Sequence, residues 1–379
     1  MEKNLKVLMI SSDRNILVPG SVVSERMKEY GALVEELHIV LLSDRRHGLK
    51  DKPLSKNVWV YPTNSSLNFL RPLDALRLGK KIVFEKKFIR GKSVITADSI
   101  ECGWAGVKIK KKWRIPLEVQ LHTDLFSPYF SGLQNSVRKL LARTVLAKAD
   151  SVRVVSQNLK SRISNLTSAN IRVLPIYVDR KKIEDSQPTF DLHARYPWRF
   201  ILLAVSRLAP EKNLALALQT LALVREKFTD IGLIVVGSGS EENRLKALAK
   251  KLKLEEVVEF VGWQNDLASF YKTANIFIQT SFFEGYGMAL VEAGLSGLPI
   301  LTTPVGIAQE LEPGKDAYIY PVDNPELFAQ GVIDLIENNY KRESLSMNMK
   351  HTLKAKLLFK EDYMAQLKLG WEETARNIR

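Results

Sequence analysis

Cysteine is nearly missing from this chain of 379 residues: Cys102 stands alone. One thiol can form no intrachain disulfide and no cysteine-based zinc site, and its scarcity suits a reducing compartment. Long apolar runs are missing too. No segment sustains the roughly 18 apolar residues that a membrane-spanning helix needs, and the amino-terminal run Val7-Leu8-Met9-Ile10 is too short for a secretory leader. The expectation is a soluble cytoplasmic protein. A composition of 45% apolar and 26% charged residues excludes disorder and collagen-like sequence. The length allows about two domains, each with its own core.

Positive charge is what the chain has in excess, with a formal net charge of +14. Residues 1–200 hold 36 Lys and Arg against 19 Asp and Glu, whereas residues 201–379 hold 20 against 23. The whole excess belongs to the first half, so a partner is sought there. Arg71, Arg77, Lys80, Lys81, Lys86, Lys87 and Arg90 interleave with apolar residues, and Lys108, Lys110, Lys111, Lys112 and Arg114 surround Trp113. Such stretches suit an anionic membrane surface, at about 1 kcal/mol per cation, which would make the protein peripheral on the inner face of the membrane. The plainer alternative is a solvated face over core residues. Nucleic acid is the other polyanion, but no zinc-finger spacing, recognition-helix motif or RNA-binding signature occurs, and no nucleic-acid partner is expected.

Short apolar runs alternate with helical stretches. Strands are predicted at 6–10, 38–42, 58–61, 93–96, 117–121, 151–155 and 171–174, with helices over 22–37 and 73–90. The charged, weakly patterned segment Asp179 to Pro197 reads as a connection. The pattern then restarts, with strands at 200–205, 231–236, 257–261, 276–279 and 300–302 and helices over 213–228, 241–252 and 364–378. Strands alternating with helices predict an α/β protein of two Rossmann-like domains, each a parallel doubly wound sheet, facing across a cleft. Functional residues should then lie on loops that follow strands.

Two such loops stand out. After the strand at 276–279 comes Ser281-Phe282-Phe283-Glu284-Gly285-Tyr286-Gly287-Met288, leading through an apolar run to Glu292. The glycines free the backbone to approach a ligand, and the exposed amides of the following helix favour an anion. With the helix starting near Tyr286, Glu292 lies about two turns in, so the two carboxylates are free to bind separate hydroxyls of one extended ligand. After the strand at 200–205 comes Ser206-Arg207-Leu208-Ala209-Pro210-Glu211-Lys212, which delivers a fork donor and a point cation suited to a diphosphate.

In combination these residues resemble the nucleotide-sugar-binding domain of the retaining GT-B glycosyltransferases, the group called group 1 or family four. The family's Glu, seven residues, Glu pattern is matched by Glu284 and Glu292, and its Arg/Lys pair by Arg207 and Lys212. The similarity covers about residues 200–335, including Phe260-Val261-Gly262, Ala274-Asn275-Ile276, Gly297-Leu298-Pro299 and Glu310. It implies the GT-B fold, with an acceptor-binding domain over 1–183, a donor-binding domain over 198–360 and a last helix over 361–379 packing back on the first domain. It implies that Glu292 holds the ribose hydroxyls and that Glu284 with the backbone of Gly285, Tyr286, Gly287 and Met288 holds the sugar. Arg207 and Lys212 would neutralise the departing diphosphate. In the first half, Pro19-Gly20-Ser21 takes the place of the family's glycine-rich loop with Gly20 alone of the usual glycine pair. His122 takes the place of a histidine that meets the donor sugar, and Asp98, at another strand end, is a candidate to face the acceptor.

The implied activity is retaining transfer of a sugar from a nucleotide-sugar donor, most commonly a UDP-sugar, to a saccharide or lipid-linked saccharide acceptor in cell-surface glycan biosynthesis. His122, Glu284, Arg207 and Lys212 would form its catalytic centre. No carboxylate is an evident nucleophile, so the reaction reads as a front-face displacement in which the leaving phosphate helps deprotonate the acceptor. No Asp is followed two residues later by another Asp. The metal-binding motif of the other glycosyltransferase architecture is thus absent, and neither metal nor other cofactor is expected. Two alternatives stay within the fold: an epimerase or hydrolase of nucleotide sugars, and a catalytically silent binding module. A nicotinamide enzyme, suggested by Val236-Gly237-Ser238-Gly239-Ser240, is set aside because Glu242 falls where the fingerprint needs its third glycine.

Overall fold

The apolar runs close into two parallel sheets. The computed structural model describes residues 4–129 and 132–376. It divides into one unit made of the chain up to Ile176 together with the segment from Phe359 onward, and a second made of Tyr177–Leu358.

The first unit holds β1 (Lys6–Ser11), α1 (Val22–Gly31), β2 (Glu36–Leu41), β3 (Lys52–Ser55), β4 (Val58–Pro62), α2 (Arg71–Glu85) and β5 (Ser93–Ala97). It continues through α3 (Ile100–Trp113), β6 (Leu117–Leu121), α4 (Leu133–Leu146), β7 (Ser151–Val154), α5 (Gln157–Ile163) and β8 (Asn170–Val173). The strand order is β3-β4-β2-β1-β5-β6-β7-β8, and only β3 runs antiparallel to its neighbour. Helices on both faces leave the inner strands almost wholly buried, which is why β1 and β5 read as continuous apolar runs. The expected helix over 22–37 stops at Gly31, because Glu36 to Leu41 pair in register with Lys6 to Ser11 and strand pairing overrides local helical pattern. Ser21 caps α1, its Oγ accepting from Ser24 N at 3.0 Å.

The second unit holds α6 (Arg180–Asp185), α7 (Leu192–Arg195), β9 (Phe200–Val205), α8 (Leu214–Arg225), β10 (Ile231–Val236), α9 (Glu242–Lys251), β11 (Val258–Gly262), α10 (Leu267–Thr273) and β12 (Ile276–Gln279). It is completed by α11 (Met288–Leu295), β13 (Ile300–Thr302), β14 (Tyr318–Ile319), α12 (Pro325–Glu337) and α13 (Asn339–Lys356). The strand order is β11-β10-β9-β12-β13-β14, all parallel. The segment 179–197, which looked like a connection, is packed into this unit. Thr189 N donates to Ser269 Oγ at 2.7 Å, and Lys272 Nζ donates to Glu184 O at 2.8 Å.

The last helix, α14 (Lys360–Arg376), belongs to the first unit; its expected end at Ile378 lies outside the described residues. It brings Trp371 into the core, wholly buried and edge-on to Tyr30 of α1, and sets Thr374 Oγ1 at 2.6 Å from Ser151 Oγ of β7.

Candidate functional site

In the second sheet β9 lies between β10 and β12, so the chain winds outward on both sides of the β9/β12 boundary. Open α/β sheets take ligands at the carboxyl ends of the strands flanking such a reversal. The loops that leave β9 and β12 carry Arg207 and Lys212 on one side and Glu284 on the other. Phe282 N donates to Glu211 O at 2.8 Å and Thr280 Oγ1 donates to Lys212 O at 2.9 Å, pinning the two loops together.

This packing sets Lys212 Nζ at 2.6 Å from Glu284 Oε1, both side chains mostly buried at 14% and 13% exposure. Ser281 Oγ donates to the same carboxylate oxygen at 2.8 Å. Arg207, 71% exposed, instead pairs its Nη2 with Glu211 Oε1 at 2.7 Å. The two cations therefore reach the same edge of the sheet holding separate carboxylates. Gly287 has φ of +94°, a conformation no helical residue adopts, so α11 starts at Met288 and not near Tyr286. Glu292 consequently lies little more than one turn in. Its Oε2 accepts from Tyr271 OH at 3.0 Å. Burial raises the pKa of Glu292 against the opposing effect of that bond, and burial together with the Glu292 charge pushes the Tyr271 phenol up, so Tyr271 stays a donor. Tyr271 escaped the sequence reading because nothing in Ser269-Phe270-Tyr271 separates it from core.

The glycines after β10 have a packing role. A Cβ at Gly239 would stand 2.2 Å from Leu208 O, and Leu208 N donates to Ser238 O at 3.0 Å. They let the loop carrying Arg207 sit tightly against its neighbour, which explains the motif without a dinucleotide.

In the first sheet the reversal falls at β1, flanked by β2 and β5. At the carboxyl ends of its strands lies a cavity of about 260 Å³, lined among others by Ser11, Asp13, Arg26, Tyr30, Asp98, Gln120, His122, Arg153 and Tyr363. His122 and Asp98 thus share one crevice. Gly20, in a left-handed conformation with φ of +72° next to the cap of α1, is not part of its lining. Asp98 accepts from Ser11 Oγ and from Ser12 N at 3.1 Å, while burial raises its pKa. The Cys102 thiol is buried and pushed up by burial and by the Asp98 charge, which leaves it unreactive.

The tautomer of His122 follows from its neighbours. Gln120 Nε2 donates to Thr96 Oγ1 at 2.7 Å, so Gln120 Oε1 is left to accept from Arg153 Nη1 and His122 Nε2, each at 3.3 Å. His122 Nδ1 is then the acceptor. Burial, then the charges of Arg153 and Arg26, push its pKa down to about 3, and it works at neutral pH as an uncharged imidazole. Arg153, Gln120 and Glu118 were not singled out beforehand, although their signal is present: polar side chains at alternate positions of the apolar strands β6 and β7.

The basic stretches resolve unevenly. Lys110 is a structural residue, its Nζ 2.7 Å from Asp150 Oδ1 and 2.8 Å from Lys148 O. Arg71 pairs with Asp44 at 2.6 Å. Ile82, Val83 and Phe88 are core, whereas Leu73, Phe84 and Ile89 are exposed. On α4, Leu133, Val137 and Leu140 form an exposed stripe. Among the described residues no helix is long and apolar enough to cross a membrane.

Residues 189–352 match the family model described as glycosyl transferases group 1. An uncharacterized glycosyltransferase of Haemophilus influenzae is 33% identical over 140 residues, 36% of this chain and 39% of that protein, so the chain spans about two fifths of that relative's length. The amylovoran biosynthesis glycosyltransferase AmsD of Erwinia amylovora is 25% identical over 314 residues, 81% of this chain and 86% of that protein. Among solved structures, sucrose-phosphate synthase from Thermosynechococcus elongatus superposes with a TM-score of 0.81 at 17% identity, over 97% of this chain and 98% of that one. HepE of Anabaena in complex with UDP and glucose gives a TM-score of 0.74 at 19% identity, over 97% and 100%. At these identities the structural likeness speaks for the fold, which is the two-sheet GT-B architecture.

Proposed function

We propose that this chain, whose residues 189–352 match the group 1 glycosyl transferases, transfers a sugar from a nucleotide-sugar donor to a saccharide or lipid-linked saccharide acceptor in glycan biosynthesis, with retention of configuration. One observation carries this reading: the Lys212–Glu284 pair at the ends of β9 and β12. A diphosphate arriving there draws the Lys212 ammonium from its carboxylate, and Glu284 becomes free to accept from the sugar's hydroxyls. Glu292, steadied by Tyr271, takes the ribose hydroxyls. As the glycosidic bond breaks, negative charge builds on the leaving phosphate, and a cation already fixed there stabilises the transition state more than the ground state. Arg207 adds a second cation when it leaves Glu211. These cations meet the leaving group in place of a metal. UDP is the expected nucleotide, consistent with the HepE complex.

The membrane reading shifts from Lys110 to α4. Its stripe of Leu133, Val137 and Leu140 would enter an anionic surface. Val137→Glu with Leu140→Glu should abolish sedimentation with anionic vesicles if acceptor is reached there.

The test of function is a thermal-shift screen of UDP-, GDP- and ADP-sugars with and without EDTA, followed by product analysis with and without a saccharide acceptor. A rise with one nucleotide, unchanged by EDTA, and an acceptor-dependent glycoside support the transferase. Free sugar or an epimerised donor without acceptor would favour the hydrolase or epimerase, and silence across the panel the inactive module.

A further inference from the structure

The cavity of the first unit is lined by two arginines that its own two carboxylates do not pair. Arg153 rises from the middle of β7 and is 3% exposed. Its Nε donates to Leu174 O at 3.4 Å, its Nη1 to Gln120 Oε1 at 3.3 Å and its Nη2 to Tyr363 OH at 2.9 Å. All three acceptors are neutral. A guanidinium has five N–H groups, so two remain for another partner. Glu118, two residues before Gln120 on β6, is bound by Arg172. Arg26 reaches the same cavity from α1. Its Nε is buried and has no hydrogen-bond partner, and no carboxylate lies within ion-pair distance of it among the described residues.

The lining does contain two carboxylates, and neither neutralises these cations. Asp98 is held by Ser11 and Ser12, and Asp13 Oδ1 accepts from Asn15 N at 3.0 Å. Both belong to the loops at the ends of β1 and β5, and no ion pair joins either to Arg26 or Arg153 among the described residues. His122 feels both cations, since the charges of Arg153 and Arg26 add to burial in suppressing its protonation. Glu118, outside the lining, still favours the Arg153 charge from a distance, whereas Arg26 has no ion-pair partner among the described residues, and fixed cations in a crevice are the usual means of holding a carboxylate or phosphate.

We propose that this cavity binds one sugar residue bearing an anionic group, a carboxylate or a phosphate, with Arg26 and Arg153 holding that group. Its carboxylates and the Nδ1 of His122 accept from the ring hydroxyls. A volume of about 260 Å³ lies below the usual range for drug-sized ligands, which suits a single substituted ring over an oligosaccharide. The proposal rests on the transferase reading, in which the first unit receives the acceptor, and it narrows that acceptor to an acidic or phosphorylated glycan.

The experiment is calorimetric titration of the full chain with methyl glucuronide, glucose 6-phosphate and methyl glucoside at matched ionic strength, on wild type, Arg26→Gln and Arg153→Gln. At least one anionic probe should bind tenfold or more tightly than the neutral glycoside, and the better of the two tells carboxylate from phosphate. Arg26→Gln should lose that preference while leaving neutral-sugar binding within twofold. Arg153→Gln should do the same where circular dichroism shows it folded; Arg26, on the surface helix, keeps the test valid where it is not. Equal binding of charged and neutral probes, no binding of either anion, or an Arg26→Gln variant with undiminished preference would overturn the proposal. A thermal rise with UDP in the same preparation would then leave the donor site standing, whereas anion binding without any nucleotide response would count against the transferase reading alone.

Discussion

Replacing Lys212 by Met separates two roles of one ammonium. In the free protein it neutralises Glu284, whose side chain is 13% exposed and keeps only the Ser281 hydroxyl once Lys212 is gone. Breaking a fully buried pair costs about 3–5 kcal/mol and an exposed one about 0–1 kcal/mol. For this mostly buried pair the expectation is about 2 kcal/mol, or roughly 4–8 °C in the melting temperature of a unit this size. In the proposed reaction the same cation would stabilise the leaving phosphate, and removing such a group should lower kcat by about 10²–10³-fold. Glu284→Gln, added to Lys212→Met, removes the stranded carboxylate. Stability should then recover by more than half while turnover stays low. The assay is a double-mutant cycle read twice, by thermal denaturation and by product formation. Recovery of turnover together with stability in the double variant would show that Lys212 serves only to hold Glu284 and would refute the leaving-group role.

Three further outcomes follow from named contacts. Tyr271→Phe removes the donor that orients Glu292 and leaves that half-buried carboxylate with one partner fewer, so nucleotide-sugar affinity should fall roughly 10–150-fold with kcat little changed, given a hydrogen bond to a charged group of about 1.5–3 kcal/mol; unchanged affinity by calorimetry would contradict it. His122 has a folded pKa near 3 against 6.5 in the unfolded chain, so between these values the unfolded state binds the extra proton and stability falls as pH falls, by up to about 1.4 kcal/mol per unit, the loss absent above pH 6.5. Urea denaturation at pH 7 and 4.5 should accordingly show His122→Gln gaining about 2.5 kcal/mol on wild type at the lower pH, and parallel behaviour would refute the buried neutral imidazole. Asp150→Ala strands both Lys110 and the Leu117 amide, each now bonded to it at 2.7 and 2.8 Å, and should cost about 2–3 kcal/mol in the same experiment.

What the sequence showed and hid divides along one physical line. Strands β9, β10, β12 and β13 were legible to the residue because they are buried on both faces and bounded by turn residues. Helices were read less well where they bury more than one face. Helix α3 packs Ile100, Cys102, Ala105 and Ile109 inward with two glycines between, and its run of lysines masks that pattern. In the second unit the motif residues were findable because they follow strands directly. Their partners were not: Lys212 meets Glu284 across 72 residues of chain, and that distance is spanned only because β12 pairs with β9.

The first unit's network shows why polar residues mislead when they alternate. Leu117-Glu118-Val119-Gln120-Leu121 has the period of a strand with one face in water. Its polar face is in fact covered, because α14 returns from the end of the chain and packs over β5 and β6. Tyr363, the first of its buried residues, meets Arg153 over 210 positions and Tyr30 over 333. Without that helix, Glu118, Gln120 and Arg153 would form an ordinary solvated face. Covered by it, they must satisfy one another, with Arg172, Thr96 and His122 as further partners. Arg153 therefore gains its significance from a segment that no local pattern connects to it. Arg153 also lines the cavity, so the same packing that buries the network shapes the crevice proposed to hold an anionic sugar.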